Sequence, residues 1–129
     1  MNAMVGDAGE LSRSGENVNN PGYTQFFRFS TIPTPANIFV FVEEHPDSIN
    51  DGYFINKASY REWVDLPASH HLGAATFAFA DGHARLQRWQ HASTTRPARP
   101  DGAGLPFYPP AAEAQDFRWV IEHMSVDRD

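Results

Sequence analysis

Two polar clusters carry the residues that could do chemistry. The first lies in 69–89, SHHLGAATFAFADGHARLQRW, where nine residues separate His71 from Asp81-Gly82 and His70 and His83 lie close by in sequence. Imidazoles near a carboxylate suggest a metal site or general acid–base work. The second is 43–52, EEHPDSINDG, with four carboxylates, a histidine and an amide directly after an apolar run. Oxygen-rich loops of this kind hold hard cations such as Ca²⁺, and Glu43, Glu44, Asp47, Asn50 and Asp51 are the candidate ligands. Asp, Asn and Gly also simply build turns, which is the stronger reading of the same residues. The spacing is not that of an EF-hand, because Ile49 stands where a ligand is needed. A carboxylate closing a buried strand, Glu43 or Glu44, must be paired, solvated or bound.

Neither cluster matches a catalytic signature. Ser69, His71 and Asp81 are the right types for a nucleophilic triad, but no Gly-x-Ser-x-Gly elbow accompanies them. HExxH, P-loop and GxGxxG patterns are missing as well. On an extended strand, His71 and His83 would stand about 40 Å apart at ~3.3 Å per residue, too far to share a metal. The expectation is a protein that is not an enzyme, with His71, Asp81 and Gly82 as a structural motif. Two other readings compete. Trp63 and Trp89 with the acidic loop could form a carbohydrate-stacking platform, against their use as core anchors. His45, His71 and Asp81 could serve a metal-dependent hydrolase.

The elements that must position these residues can be read from pattern. Asp-Gly favours a two-residue type I′ turn. That turn would pair Ala80 with His83, Phe79 with Ala84, Phe77 with Leu86, Ala78 with Arg85 and Thr76 with Gln87. Apolar and wetter pairs would then fall on opposite faces, as a half-buried hairpin over 73–90 requires. Residues 37–43, NIFVFVE, form a β-branched and aromatic strand suited to a central position. Residues 23–30 alternate as a further strand, 53–56 make a short one, and 59–64 a helical turn capped by Ser59. Phe117, Val120, Ile121 and Met124 repeat at helical spacing, which predicts a C-terminal helix. Residues 92–112 are too rich in Pro and Gly for regular structure and read as a surface excursion. Residues 1–22 read as a flexible N-terminal segment, 23–125 as the globular domain and 126–129 as a tail.

Composition bounds the partners. The 129 residues carry a formal net charge of −6 with one lysine, Lys57, a poor match to nucleic acid or an anionic membrane. Ten phenylalanines and 41% hydrophobic residues suffice for a small core. There is no cysteine for disulfide or thiolate chemistry, and no run of about 18 apolar residues for a membrane span.

Segment 69–89 resembles the C-terminal motif of the H-x9-DG family of prepilin-type, pseudopilin-like proteins of planctomycetes and related bacteria. Residues 32–54, IPTPANIFVFVEEHPDSINDGYF, are similar to that family's strand and acidic loop, and 116–125, DFRWVIEHMS, to its closing helix. The opening MNAMVGD looks like an internal family segment. The resemblance implies an α+β, pilin-like globular domain lacking the N-terminal helix, with an antiparallel sheet of about four strands and a C-terminal helix. It implies the C-terminal part of a longer protein, located outside the cell or on its surface. It also implies self-association or assembly with other pilin-like subunits into filaments, with Ca²⁺ as a stabiliser of the acidic loop. A sheet that evolved to pack on a missing helix would expose an apolar face. The expectation is that another chain, or the excursion 92–112, covers it.

Overall fold

A computed structural model describes residues 1–99 and 104–128 of the chain. It is α+β. A three-stranded antiparallel sheet has the order β1 (Phe39–Val42), β2 (Ala74–Phe79), β3 (Ala84–Arg88), and one helix, α1 (Gln115–Met124), closes the chain. The rest is irregular chain with short 3₁₀ turns. The sheet has three strands rather than about four. Residues 23–30 make only isolated bridges and run into a 3₁₀ turn at Phe29–Thr31; 53–56 contribute a single bridge, Phe54 with Asn2. The turn expected over 59–64 is a 3₁₀ turn, Ala58–Tyr60, that begins one residue earlier and lacks a side-chain cap.

The central strand is β2, whose Ala75, Phe77 and Phe79 face the core. Its Phe77 meets Trp119 of α1 edge-on at 5.0 Å. β1 is the outer strand, not the central one expected. Val40 is an extra residue in its ladder, because Phe39 pairs with Phe79 but Phe41 pairs with Ala78. This bulge sends Phe39 and Val40 into two different apolar clusters and leaves Phe41 outside. In the larger cluster Phe39 meets Phe77 edge-on at 5.0 Å, and Trp63 meets Phe117 at 5.0 Å.

The hairpin is present, with a register one residue from that expected. Ala78 pairs with Ala84, Phe77 with Arg85 and Thr76 with Leu86. The loop has three residues, Ala80–Asp81–Gly82. The Phe79 amide donates to the His83 carbonyl at 2.8 Å, and the Gly82 amide to the Phe79 carbonyl at 2.9 Å. Only Gly82 is left-handed (φ +93°), so the turn is not type I′; this is a turn closed by a glycine bulge. The shift places Leu86 on the outer face, 53% exposed, and Arg85 on the core side. Arg85 is tolerated there because its guanidinium lies over the Trp119 ring, 5.3 Å from the centroid, and covers the aromatic edge of the core.

The helix forms as its pattern predicts, with Phe117, Val120, Ile121 and Met124 buried. Asp116, in its first turn, accepts the amides of Gln90 and His91 and ties the end of the hairpin to the start of the helix. The excursion 92–112 is held at His45, Asp47 and Trp63 through its described residues; 100–103 lie outside them. The expected tail pairs through its described part with 22–24: Thr24 donates to Val126 and Arg128 to Gly22.

The largest departure is at the start. Residues 1–22 are irregular, as expected, but they are not a loose lead-in. Asn2, Ala3 and Met4 are wholly buried. The Asn2 amide side chain donates to the carbonyls of Phe39 and Met124, both at 2.8 Å, and its oxygen accepts the Met4 amide at 2.9 Å. Its backbone N–H donates to Val40. One residue thereby joins the sheet edge, the end of α1 and its own turn, and 1–22 belong to the same domain as 23–125. Replacing Asn2 with Ala leaves two buried carbonyls and one buried amide without partners. It should lower unfolding free energy by roughly 3 kcal/mol in denaturant titration. Loss of less than about 0.5 kcal/mol, the scale of surface substitutions, would mean that the segment is peripheral.

Candidate functional site

The histidine and Asp-Gly motif splits into two separate latches. At the start of β2 the chain turns sharply through Leu72 (φ +53°) and Gly73 (φ +82°). This brings His71 back to Glu43, with Nε2 3.2 Å from the carboxylate. The same carboxylate accepts the Thr76 amide at 2.8 Å. Burial works to raise the pKa of Glu43, but the Thr76 amide and His71 outweigh it and hold its carboxyl below the ordinary range. At the other end Asp81 accepts the His83 amide at 3.1 Å and faces its Nδ1 at 2.5 Å. These contacts hold the Asp81 carboxyl below its ordinary range. The His83 ring stacks on Phe79 at 4.5 Å. His71 and Asp81 therefore serve opposite ends of one strand and do not act on a common atom. The partner of His71 is the acidic segment on the neighbouring strand, as its position far up the strand from Asp81 suggests.

The acidic loop disperses in the same way. Glu44 turns inward, where Ser48 Oγ donates to it at 2.9 Å. Burial, and then the charge of Asp65, push Glu44 up to about 7. Burial likewise pushes Asp65 up to about 6, although the Ile55 amide donates to it at 2.8 Å. Asp47 accepts the Arg99 amide at 2.9 Å and Asp51 the Tyr53 amide at 2.7 Å, while Asn50 is exposed. The four carboxylates among the five candidate Ca²⁺ ligands are engaged by separate partners. Among the described residues no three His, Cys, Asp or Glu side chains gather as a metal ion needs. The turn-building reading of this loop accounts for its contacts.

The remaining candidates are structural. His45 is 2% exposed; its Nδ1 faces the Asp47 amide, so Nε2 carries the proton and donates to the Arg96 carbonyl at 2.9 Å. His45, His71 and Asp81 do not form a hydrolase site, because each is bound in a different contact. Trp63 is fully buried and Trp89 is 5% exposed, with its indole N–H donating to Ala68 at 2.8 Å. Neither ring can stack on a sugar, and the carbohydrate platform is corrected to two core anchors.

Sequence reasoning passed over an aromatic groove. Met1, Val5, Phe26, Phe27, Phe29 and Phe41 line a cleft beside β1 whose walls are almost wholly apolar. Phe27, Phe29 and Phe41 are 49%, 63% and 58% exposed. The described residues of the excursion 92–112 do not line it. The signal was the paired Phe26-Phe27 followed by Phe29. Alternation placed Phe27 and Phe29 on one strand face with Gln25, whereas Gln25 is buried and both phenylalanines lie outside.

The Glu44–Asp65 pair has a consequence for pH. A raised carboxyl binds protons more tightly in the folded chain than in the unfolded one. Its contribution therefore favours folding at mildly acid pH and is lost as pH rises through about 7. Glu44→Gln should match the parent melting temperature near pH 5 and exceed it by roughly 3–6 °C at pH 8, after discounting for partial exposure. An equal difference at both pH values would remove this assignment.

Comparison with protein-family models, with characterised proteins and with solved structures finds no match to this chain.

Proposed function

We propose that this domain is a structural, non-catalytic subunit that works by self-association through the aromatic groove beside β1. The carrying observation is that Phe27, Phe29 and Phe41 share one cleft and are each about half or more exposed. Aromatic side chains left in contiguous apolar surface mark interaction sites, and such residues dominate interface energetics. The fold supports the reading: histidines, carboxylates and tryptophans that could have done chemistry are engaged in holding the hairpin, loop and core. The resemblance to pseudopilin-like proteins supports the same class, and extends the proposal to an extracellular or cell-surface setting where copies or related subunits assemble into filaments. No helix among the described residues is long and apolar enough to cross a membrane.

The three phenylalanines are exposed, so polar replacements should leave stability within about 0.5 kcal/mol. In sedimentation velocity, the sedimentation coefficient of the parent chain should rise with concentration, and that of Phe27→Ser/Phe41→Ser should stay monomeric throughout. Indistinguishable, concentration-independent profiles for the two proteins would remove the groove as an assembly surface.

A further inference from the structure

A second cleft, of about 230 Å³, lies between the Ala58–Tyr60 turn and α1 and is separate from the aromatic groove. Its floor is apolar: Ala114, Phe117 and Ile121, all at least nine-tenths buried. Its rim carries Arg61, Arg118 and Tyr23. The acidic chain has 16 carboxylate residues against 10 basic ones, yet neither guanidinium here has a hydrogen bond or ion pair among the described residues. Two unpaired cations therefore face one oily floor.

Arg61 adds an independent observation. Its backbone is left-handed, φ +51° and ψ +44°, immediately after the Ala58–Tyr60 turn. Glycine is the ordinary residue for such a position, and a long side chain there is disfavoured. Strained backbone at a residue that lines a cleft is a recurrent mark of functional placement. The Tyr23 hydroxyl completes the rim. Burial, and then the charges of Asp127 and Glu122, push its pKa up, so it keeps its proton and can donate. The same two acidic residues make that end of the cleft unfavourable for a second negative charge.

We propose that this cleft binds a small apolar monocarboxylate, with the carboxylate between Arg61 and Arg118 and the hydrocarbon body on Phe117 and Ile121. Guanidinium groups suit a carboxylate through paired N–H donors, and the floor suits an aryl or short alkyl group. The volume is below the range that encloses drug-sized ligands, which limits the ligand to a single ring or its equivalent. The binding is independent of assembly through the phenylalanine groove.

Phenylacetate is the probe, with phenylacetamide as its uncharged analogue, followed by amide NMR shifts and thermal melting of the full chain. Phenylacetate should shift the amides of Arg61 and Arg118 saturably, and phenylacetamide should bind about tenfold or more weakly. Arg118→Gln should weaken phenylacetate about tenfold without changing the melting temperature. Arg61→Gly should raise the melting temperature by relieving the left-handed backbone, yet weaken phenylacetate about tenfold. Absence of saturable shifts with phenylacetate, equal binding of the amide, or unchanged affinity in both variants would overturn the proposal.

Discussion

The buried side chain of Asn2 is the constraint on which the other arrangements depend. Its amide reaches the Phe39 carbonyl on the sheet edge and the Met124 carbonyl at the end of α1, both in the buried interior. A helix end buried without such a partner would be costly, and so would an open strand edge. With Asn2 in place, Ala3, Met4 and Ala8 join the larger apolar cluster alongside the sheet and helix residues. Three strands and one helix then suffice for a closed core. The bulge at Val40 belongs to this solution, since the Val40 carbonyl receives the Asn2 backbone amide.

The parts of the fold legible in the sequence are those set by local periodicity. The stripe Phe117, Val120, Ile121 and Met124 forms a helix because each member lies on one face and meets apolar partners. The β1 and β2 runs form strands because β-branched and aromatic residues fit a pleated, half-buried surface. The hairpin was legible in kind but not in register. Apolar sorting favoured Leu86 facing Phe77, whereas Arg85 takes that position and covers Trp119. A long cation with an aliphatic stem can do an apolar residue's work at a rim, and simple sorting does not see this. Asn2 was illegible for a different reason. Asparagine reads as a turn former, and its three partners lie 2, 37 and 122 residues away.

The chemistry read from spacing fared similarly. His71 and Asp81-Gly82 stand at the two ends of one six-residue strand and its turns. One histidine–carboxylate contact fastens each end, Glu43 at the first and His83 to Asp81 at the second. Exposed pairs of this kind contribute little energy each. Their effect is on geometry: they orient the Leu72–Gly73 corner and the Gly82 bulge. The residues left without structural duties were not the conspicuous ones. They are the phenylalanines of the groove and the arginines of the second cleft, whose significance lies in exposure and lack of partners, properties that exist only once the chain is folded.

Assembly through the groove is tested most directly by hydrogen exchange on the unmodified protein, dilute and concentrated. Self-association predicts that amides of 26–29 and 40–41 become protected as concentration rises, while those of β3 and the Ala80–Gly82 loop exchange at unchanged rates. Protection that is the same at both concentrations throughout, or that rises only away from the groove, would contradict a subunit that assembles through these phenylalanines.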